Sequence, residues 1–392
     1  MLVAAGGAAI ILLVVQVGYV LQHPEVWPPD DSIEYWAAAR LVRLGQNPYA
    51  AELLLPLQQA GGRSTAEAVM MWNPPWTLAL VLPLGWLPAR LAQLVWLALH
   101  LAVLVYCGNR LGQIYGGSTL QRGWCWLLTL AAMPSLFALQ AGQITPLVLL
   151  GAVLWLEAQT RRHALQAGLA LLLLAIKPHL VVLLGLTLLV VIIRQRQWAI
   201  VLSGGGWLLG AVGVVMLFRP EVVSDYLRAL LHHPPVQWHS PTLGAWLRWW
   251  WGAEHFWIQF VPLLIGLLVL GGMLIGGWPR ARQWHELIPP LLLVSLLVAP
   301  YGAWPFDLVL LLPAVFAVVM PSVARQERLG LWIWGSSLLL INLGCLALNL
   351  AGEPSSRFVW VTPAVGLVYA GAVFWGHPRR DQQRQQWQTQ LA

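Results

Sequence analysis

LALLLLAIKPHLVVLLGLTLLVVII, residues 169–193, decides the fold. Two apolar runs, Leu169–Ile176 and Leu180–Ile193, flank the only lysine of the chain, Lys177, with Pro178 and His179 beside it. An ammonium between lipid-length segments faces a partner or a polar cavity, because leaving it in hydrocarbon costs roughly 2.5–3.5 kcal/mol or more. Lys177 is therefore a candidate for a functional site.

The composition around this stretch carries the same message. Of 392 residues, 59% are hydrophobic and 9% charged, which leaves too little polar surface for a soluble domain of this length. The chain reads as an all-α integral membrane protein. A helix needs about 20 residues to cross the hydrocarbon layer. About twelve apolar segments answer, near 2–21, 75–109, 123–139, 144–158, 163–176, 178–193, 198–218, 256–276, 285–299, 303–320, 329–350 and 358–376. Several are short and bounded by proline, as expected of helices broken or tilted around a protein-lined cavity. Pro83 and Pro88 divide the second segment, so 75–88 reads as a short or re-entrant piece. The first segment lacks a basic leader and a small-residue cleavage site, and reads as an uncleaved helix. Cys107, Cys125 and Cys345 lie in or beside apolar segments, with neither disulfide nor metal-ligand spacing.

Net charge is +7, which in a soluble protein would raise nucleic acid as a partner. Here it records topology, and no nucleic acid is expected. Arginines cluster in alternate gaps: Arg110 and Arg122, Arg161 and Arg162, Arg194 and Arg196, Arg280 and Arg282, Arg325 and Arg328, then Arg379, Arg380 and Arg384. The positive-inside rule makes these gaps cytoplasmic. The outer side then receives 22–74, the turn 140–143, Lys177–His179, 219–255, 300–305 and 351–357.

The organisation expected is one membrane domain over 1–376 and a polar, disordered cytoplasmic tail over 377–392, rich in Gln and Arg. Two outer loops carry structure. Loop 22–74 holds an amphipathic helix at about 32–44, with Ile33, Trp36, Leu41 and Leu44 on one face, ended by Gly45. Loop 219–255 begins with a short helix around 221–231 and continues through His232, His233, Trp238 and His239 to the tryptophan-rich run 246–251. Both helices are expected in the membrane interface, which favours Trp. The 25 tryptophans read mainly as that belt.

Few residues in this apolar background can carry chemistry. Asp30 and Asp31 stand at the lip of the first loop helix, where a partly desolvated carboxylate can act as general base on a sugar hydroxyl. Asp31 with Glu34 has N-cap to N3 spacing, so the residues taken alone favour Asp31 as a cap. Lys177 and His179 suit an anion such as a lipid phosphate, and a lysine snorkelling to the headgroups is the competing reading. Asp307 must be paired or face water, or cap the helix that follows. Gln140 and Gln143 flank a turn, where amides suit sugar hydroxyls or are ordinary turn residues. His232, His233 and His239 lack metal-ligand regularity and read as surface groups. No phosphate-binding glycine loop and no Gly-x-Ser-x-Gly elbow occurs.

The motifs also resemble a family in their order. Asp31-Ser32-Ile33-Glu34-Tyr35-Trp36-Ala37-Ala38-Ala39-Arg40 and Gly45-Gln46-Asn47-Pro48-Tyr49 resemble the first-loop signature of glycosyltransferase family 87. Asn73-Pro74-Pro75 is similar to its Tyr-Pro-Pro segment, with Asn in place of Tyr. Gly142-Gln143, Lys177-Pro178 and Pro300-Tyr301 through Asp307-Leu308-Val309-Leu310 are similar to later motifs, so the resemblance runs from about residue 25 to 320.

The resemblance implies a GT-C fold and an inverting transfer of a hexose, commonly mannose, from a polyprenyl-phosphate sugar to a lipid or glycan acceptor. It places the active site on the extracytoplasmic face of the cell membrane, among membrane lipids. Asp31 would be the base, with Asp30 as its neighbour or substitute. Lys177 would meet the donor phosphate, and His179, Gln143, Tyr35 and Asp307 would line the substrate site. No cofactor is called for. Metal ligands are not assigned, although two adjacent aspartates leave a divalent ion open. Two rivals stand beside this reading. A transporter or flippase of lipid-linked sugars would also need broken helices, but no internal repeat is visible. A non-catalytic component of an envelope-synthesis complex would use the tryptophan-rich loops as partner surfaces.

Overall fold

A computed structural model describes residues 23, 26–116, 122–161, 163–232, 238, 240–252, 254–278 and 284–375. The first apolar segment, Arg162, His233, His239, Arg280, Arg282 and the tail 377–392 lie outside the described residues. In chain order the α-helices are α1 Ser32–Arg43, α2 Ala51–Ala60, α3 Pro75–Val81, α4 Ala89–Gly116, α5 Arg122–Leu130, α6 Met133–Ala141, α7 Thr145–Arg161, α8 Ala164–Leu174 and α9 Val182–Arg194. They continue as α10 Trp198–Met216, α11 Val222–His232, α12 Leu243–Trp251, α13 Val261–Ile275, α14 Trp284–Val298, α15 Leu312–Ala324 and α16 Arg328–Leu350, then α17 over 361–375. No strand occurs among the described residues.

Every apolar window after the first falls on a helix. Among the described residues six helical stretches are long and apolar enough to cross a membrane: Ala89–Gly116, Trp198–Met216, Phe256–Ile275, Asp307–Ala324, Arg328–Leu350 and Ser355–Trp375. Helices α5 and α6, bent by 61° at their junction, make a seventh if taken as one broken span. The remaining apolar helices, Pro75–Trp86 among them, have 10–17 residues. At about 1.5 Å per residue these fall short of the hydrocarbon thickness. The protein is a polytopic, all-helical membrane protein.

The contacts divide the chain into two compact units. The first comprises residues up to Leu101, Leu139–Gln143 and Trp207–Pro234. Its centre is α1, and here one expectation is corrected. The helix has the expected bounds, but ten of its twelve residues are buried, Glu34 included, so it is not a one-faced interfacial helix. The physical reason is Ala37-Ala38-Ala39, which lets neighbouring backbone approach closely. The 3-10 turn Leu82–Trp86 lies against it at Gly85, where an added Cβ would stand 2.6 Å from the Ala39 carbonyl oxygen. Arg40 donates to the Gly85 carbonyl at 3.2 Å and the Trp36 indole to that of Leu87 at 2.9 Å.

The segment Gly45–Tyr49 is also structural in this unit. Arg219 donates to the Gly45 carbonyl, Asn47 caps the Tyr49 amide, and the Tyr49 hydroxyl donates to the Asn73 carbonyl. The Tyr49 ring meets Tyr226 of α11 at 5.3 Å. Helix α11 turns Asp225 inward, where Arg219 and Arg228 hold it, and leaves Val223, Leu227, Leu230 and Leu231 exposed. That exposed apolar stripe, starting six residues after α10 ends, suits an interfacial position.

The second unit comprises Ala102–Ala138, Ile144–Gly206 and residues from Pro235 onward. Helices α7 and α8 pack closely because Gly151 meets Ala170; a Cβ there would stand 2.9 Å from the Ala170 carbonyl oxygen. The α5–α6 break leaves backbone groups without helical partners, and Asn342 of α16 satisfies two of them. Its Oδ1 accepts the Met133 N–H at 2.7 Å and its Nδ2 donates to the Ala131 carbonyl at 2.8 Å. Ser295 serves the start of α9 in the same way, accepting from the Leu183 N–H at 3.1 Å.

Candidate active site

In the first unit Asp31 does not cap α1. Its backbone is already helical, at φ −57° and ψ −24°, and its side chain makes no capping hydrogen bond. An N-cap side chain reaches back to the first turn from an extended backbone, which Asp31 lacks. Its carboxylate instead accepts a hydrogen bond from Gln143, Nε2 to Oδ2 at 2.9 Å. Gln143 in turn accepts at Oε1 from the Tyr35 hydroxyl at 3.0 Å. Tyr35 is fully buried and its ring lies 5.5 Å from Trp96. The Trp96 indole donates to the Gly142 carbonyl at 2.8 Å, which ties the turn before Gln143 to α4.

Asp30 and Asp31, adjacent in sequence, have different surroundings. The Asp30 side chain is 60% exposed, with Arg63 at 3.9 Å. Partial burial raises its carboxyl above the ordinary value, and the Arg63 charge opposes that. Gln140 presents its backbone carbonyl toward the Trp27 indole at 3.5 Å.

In the second unit Lys177 has found a carboxylate. Its Nζ donates to Asp307 Oδ1 at 2.8 Å, with Lys177 buried and Asp307 fully so. The ammonium also lies 5.3 Å from the Phe306 ring centre. The Thr145 hydroxyl donates to the same Asp307 oxygen, and the Trp304 N–H donates to Oδ2 at 3.0 Å. Asp307 therefore looks back to the preceding turn rather than capping the following helix. That turn uses two left-handed residues, Gly302 at φ +69° and Ala303 at φ +54°. A left-handed alanine costs of order 1 kcal/mol, so the geometry that aims the Trp304 N–H at Asp307 is held by its surroundings. His179 lies against Gly302, where a Cβ would stand 2.7 Å from its Nε2.

The snorkelling reading of Lys177 is thus replaced by a buried ion pair. Thr145 was not singled out by its sequence, because a hydroxyl at a helix start reads as an ordinary cap. An apolar cavity of about 510 Å³ opens in the same unit. Its wall includes Leu308 and Leu312, just after Asp307, and Ala131, Gly335 and Leu339. Among the described residues no group of three or more His, Cys, Asp or Glu side chains is placed to hold a metal.

Among the described residues of this many-helix membrane protein, Gln143 holds the Asp31 carboxylate in one unit and Asp307 holds the Lys177 ammonium in the other. The chain belongs to glycosyltransferase family 87, whose model matches residues 72–300, more than half of its length. The match takes in Gln143 and Lys177, begins after Asp31 and ends before Asp307. No curated protein and no solved structure matches the chain.

Proposed function

We propose that this glycosyltransferase moves a hexose, mannose foremost, from a polyprenyl phosphate to a lipid or glycan acceptor with inversion, on the extracytoplasmic face of the cell membrane. The fold proposed is of the GT-C type, with about twelve membrane segments. The observation that carries the reading is the Asp31 carboxylate, held by Gln143 and not spent on capping α1.

In the proposed step Asp31 takes the proton of the acceptor hydroxyl as its oxygen attacks the anomeric carbon. The bond from that carbon to the phosphate oxygen breaks, and its electron pair leaves with the polyprenyl phosphate. Separately, for the second unit, Lys177 held by Asp307 is the cation proposed to meet an anionic phosphate, whose charge an ammonium stabilises in a medium of low dielectric. Inversion needs one base and one in-line donor, so a single carboxylate suffices and the step itself calls for no metal. The apolar cavity beside Asp307 suits the hydrocarbon chain of a lipid donor.

The test is sugar transfer by the purified protein in liposomes containing polyprenyl-phosphate mannose and a membrane-lipid extract. Wild type should transfer, and folded Asp31→Asn should lose about 10²–10⁴-fold in rate. Absence of transfer from any polyprenyl-phosphate sugar, with intact protein and varied acceptors, would overturn the proposal in favour of transport.

A further inference from the structure

We infer that Gln143 is a positioning residue for Asp31, and that Tyr35 anchors the far end of the Gln143 amide. The inference rests on the reading of Asp31 as the base. It moves Gln143 and Tyr35 away from the substrate contacts their sequence positions suggest.

A glutamine amide has one accepting end and one donating end, which are nearly equal in shape. The Asp31 carboxylate only accepts and so selects the donating end, which leaves Oε1 to accept from the Tyr35 hydroxyl at 3.0 Å. Nε2 is then the atom that meets Asp31 Oδ2 at 2.9 Å. The reverse orientation would set the amide oxygen against a carboxylate oxygen. Tyr35 cannot swing away, because it is fully buried on α1 with Trp96 beside it.

The backbone of the turn is fixed as well. Gly142 has φ +68°, and a Cβ on it would stand 2.6 Å from the Ser32 Cβ. Its carbonyl is held by the Trp96 indole. The turn therefore lies directly on the first residue of α1, next to Asp31 in sequence, and the amide reaches the carboxylate from a fixed base.

A neutral donor suits this task. A neutral amide aligns a carboxylate without bringing a full positive charge, which would lower its proton affinity and weaken it as a base. Gln143 thus aligns one carboxylate oxygen.

Three variants test this: Gln143→Glu, Gln143→Leu and Tyr35→Phe, each assayed for kcat and KM across pH, with folding followed by thermal melting. Gln143→Glu places a second carboxylate against Asp31, and two carboxylates sharing a site raise one ionisation. The acid limb of kcat/KM should move to higher pH by about one unit or more. Gln143→Leu should lower kcat about 10-fold or more, with little change in KM for donor or acceptor. Tyr35→Phe keeps the ring and removes only the hydroxyl, so it should fold and still lose several-fold in kcat.

An unmoved acid limb in Gln143→Glu, with Asp31→Asn inactive, would overturn this inference and leave the base assignment standing. A rise in acceptor KM at unchanged kcat in Gln143→Leu would likewise overturn it, by returning the residue to substrate contact. Full activity in Asp31→Asn would instead remove the reading beneath it. Should Gln143→Glu fail to fold, unchanged kcat in Tyr35→Phe would be decisive against the inference.

Discussion

Asp307 accepts the Lys177 ammonium at 2.8 Å across 130 residues of chain, and Thr145 and the Trp304 N–H complete the hydrogen bonding of the same carboxylate. The only lysine of the protein is thus half of a buried ion pair. A charge pair in a low-dielectric interior is costly to break one partner at a time and cheaper to remove whole. That asymmetry makes the pair measurable.

Lys177→Met and Asp307→Leu should each destabilise the protein by about 3–5 kcal/mol, because each strands a buried charge. The double variant should recover much of that loss. Thermal unfolding in detergent gives the coupling, and strictly additive losses would mean that the two side chains do not act as a pair.

Asp30→Asn should keep transfer within a few-fold of wild type, whereas Asp31→Asn should lose about 10²–10⁴-fold. The sign of the pH effect also distinguishes Asp30. Burial raises its folded-state ionisation above the unfolded value, so its charge costs stability once pH rises through that window. Asp30→Asn should therefore stabilise slightly above the window and do nothing below it. Because the side chain is largely exposed, the gain should be small, and melting curves at pH 3 and pH 7 would reveal it.

Gly85→Ala should destabilise by about 1–3 kcal/mol, the cost of overpacking a tight contact. The new methyl would press on the Ala39 carbonyl, and backbone has no easy way to give. Gly123→Ala, where a Cβ meets nothing within 4 Å, serves as the control. Equal melting temperatures for the two variants would refute the close approach of the Leu82–Trp86 turn to α1.

Asn342→Leu keeps the size of the side chain and deletes both hydrogen bonds to the α5–α6 break. The Ala131 carbonyl and the Met133 N–H would lose their partner, and the part-buried Met133 N–H left unsatisfied should cost about 1–3 kcal/mol, with less from the exposed Ala131 carbonyl. Asn342→Gln, which keeps the amide, should lose less. If both substitutions leave melting unchanged, the amide does not hold the break.

The fold was legible in the sequence wherever the signal was local. Apolar windows such as Leu180–Ile193 place helices because hydropathy over a stretch is a property of that stretch. Proline and glycine marked the ends, as at Pro83 and Gly45. The environment of α1 was not legible, since Ile33, Trp36, Leu41 and Leu44 describe one apolar face. Nothing local announces that Gly85 will cover the alanine face as well. Asp31 likewise carried a capping spacing that the backbone, helical one residue earlier than a cap allows, does not use.

By itself the sequence determined that this protein is helical, lies in a membrane and carries few charges. It also singled out Asp31, Gln143, Lys177 and Asp307, because polar groups in an apolar chain need partners. Only the tertiary structure decided which partner each takes. Gln143 meets Asp31 across 112 residues and Thr145 meets Asp307 across 162. Such pairings leave no periodic trace, because they depend on how distant helices pack and on a few glycines and alanines that let backbone approach backbone. The need for a partner is written locally; its identity is set by packing.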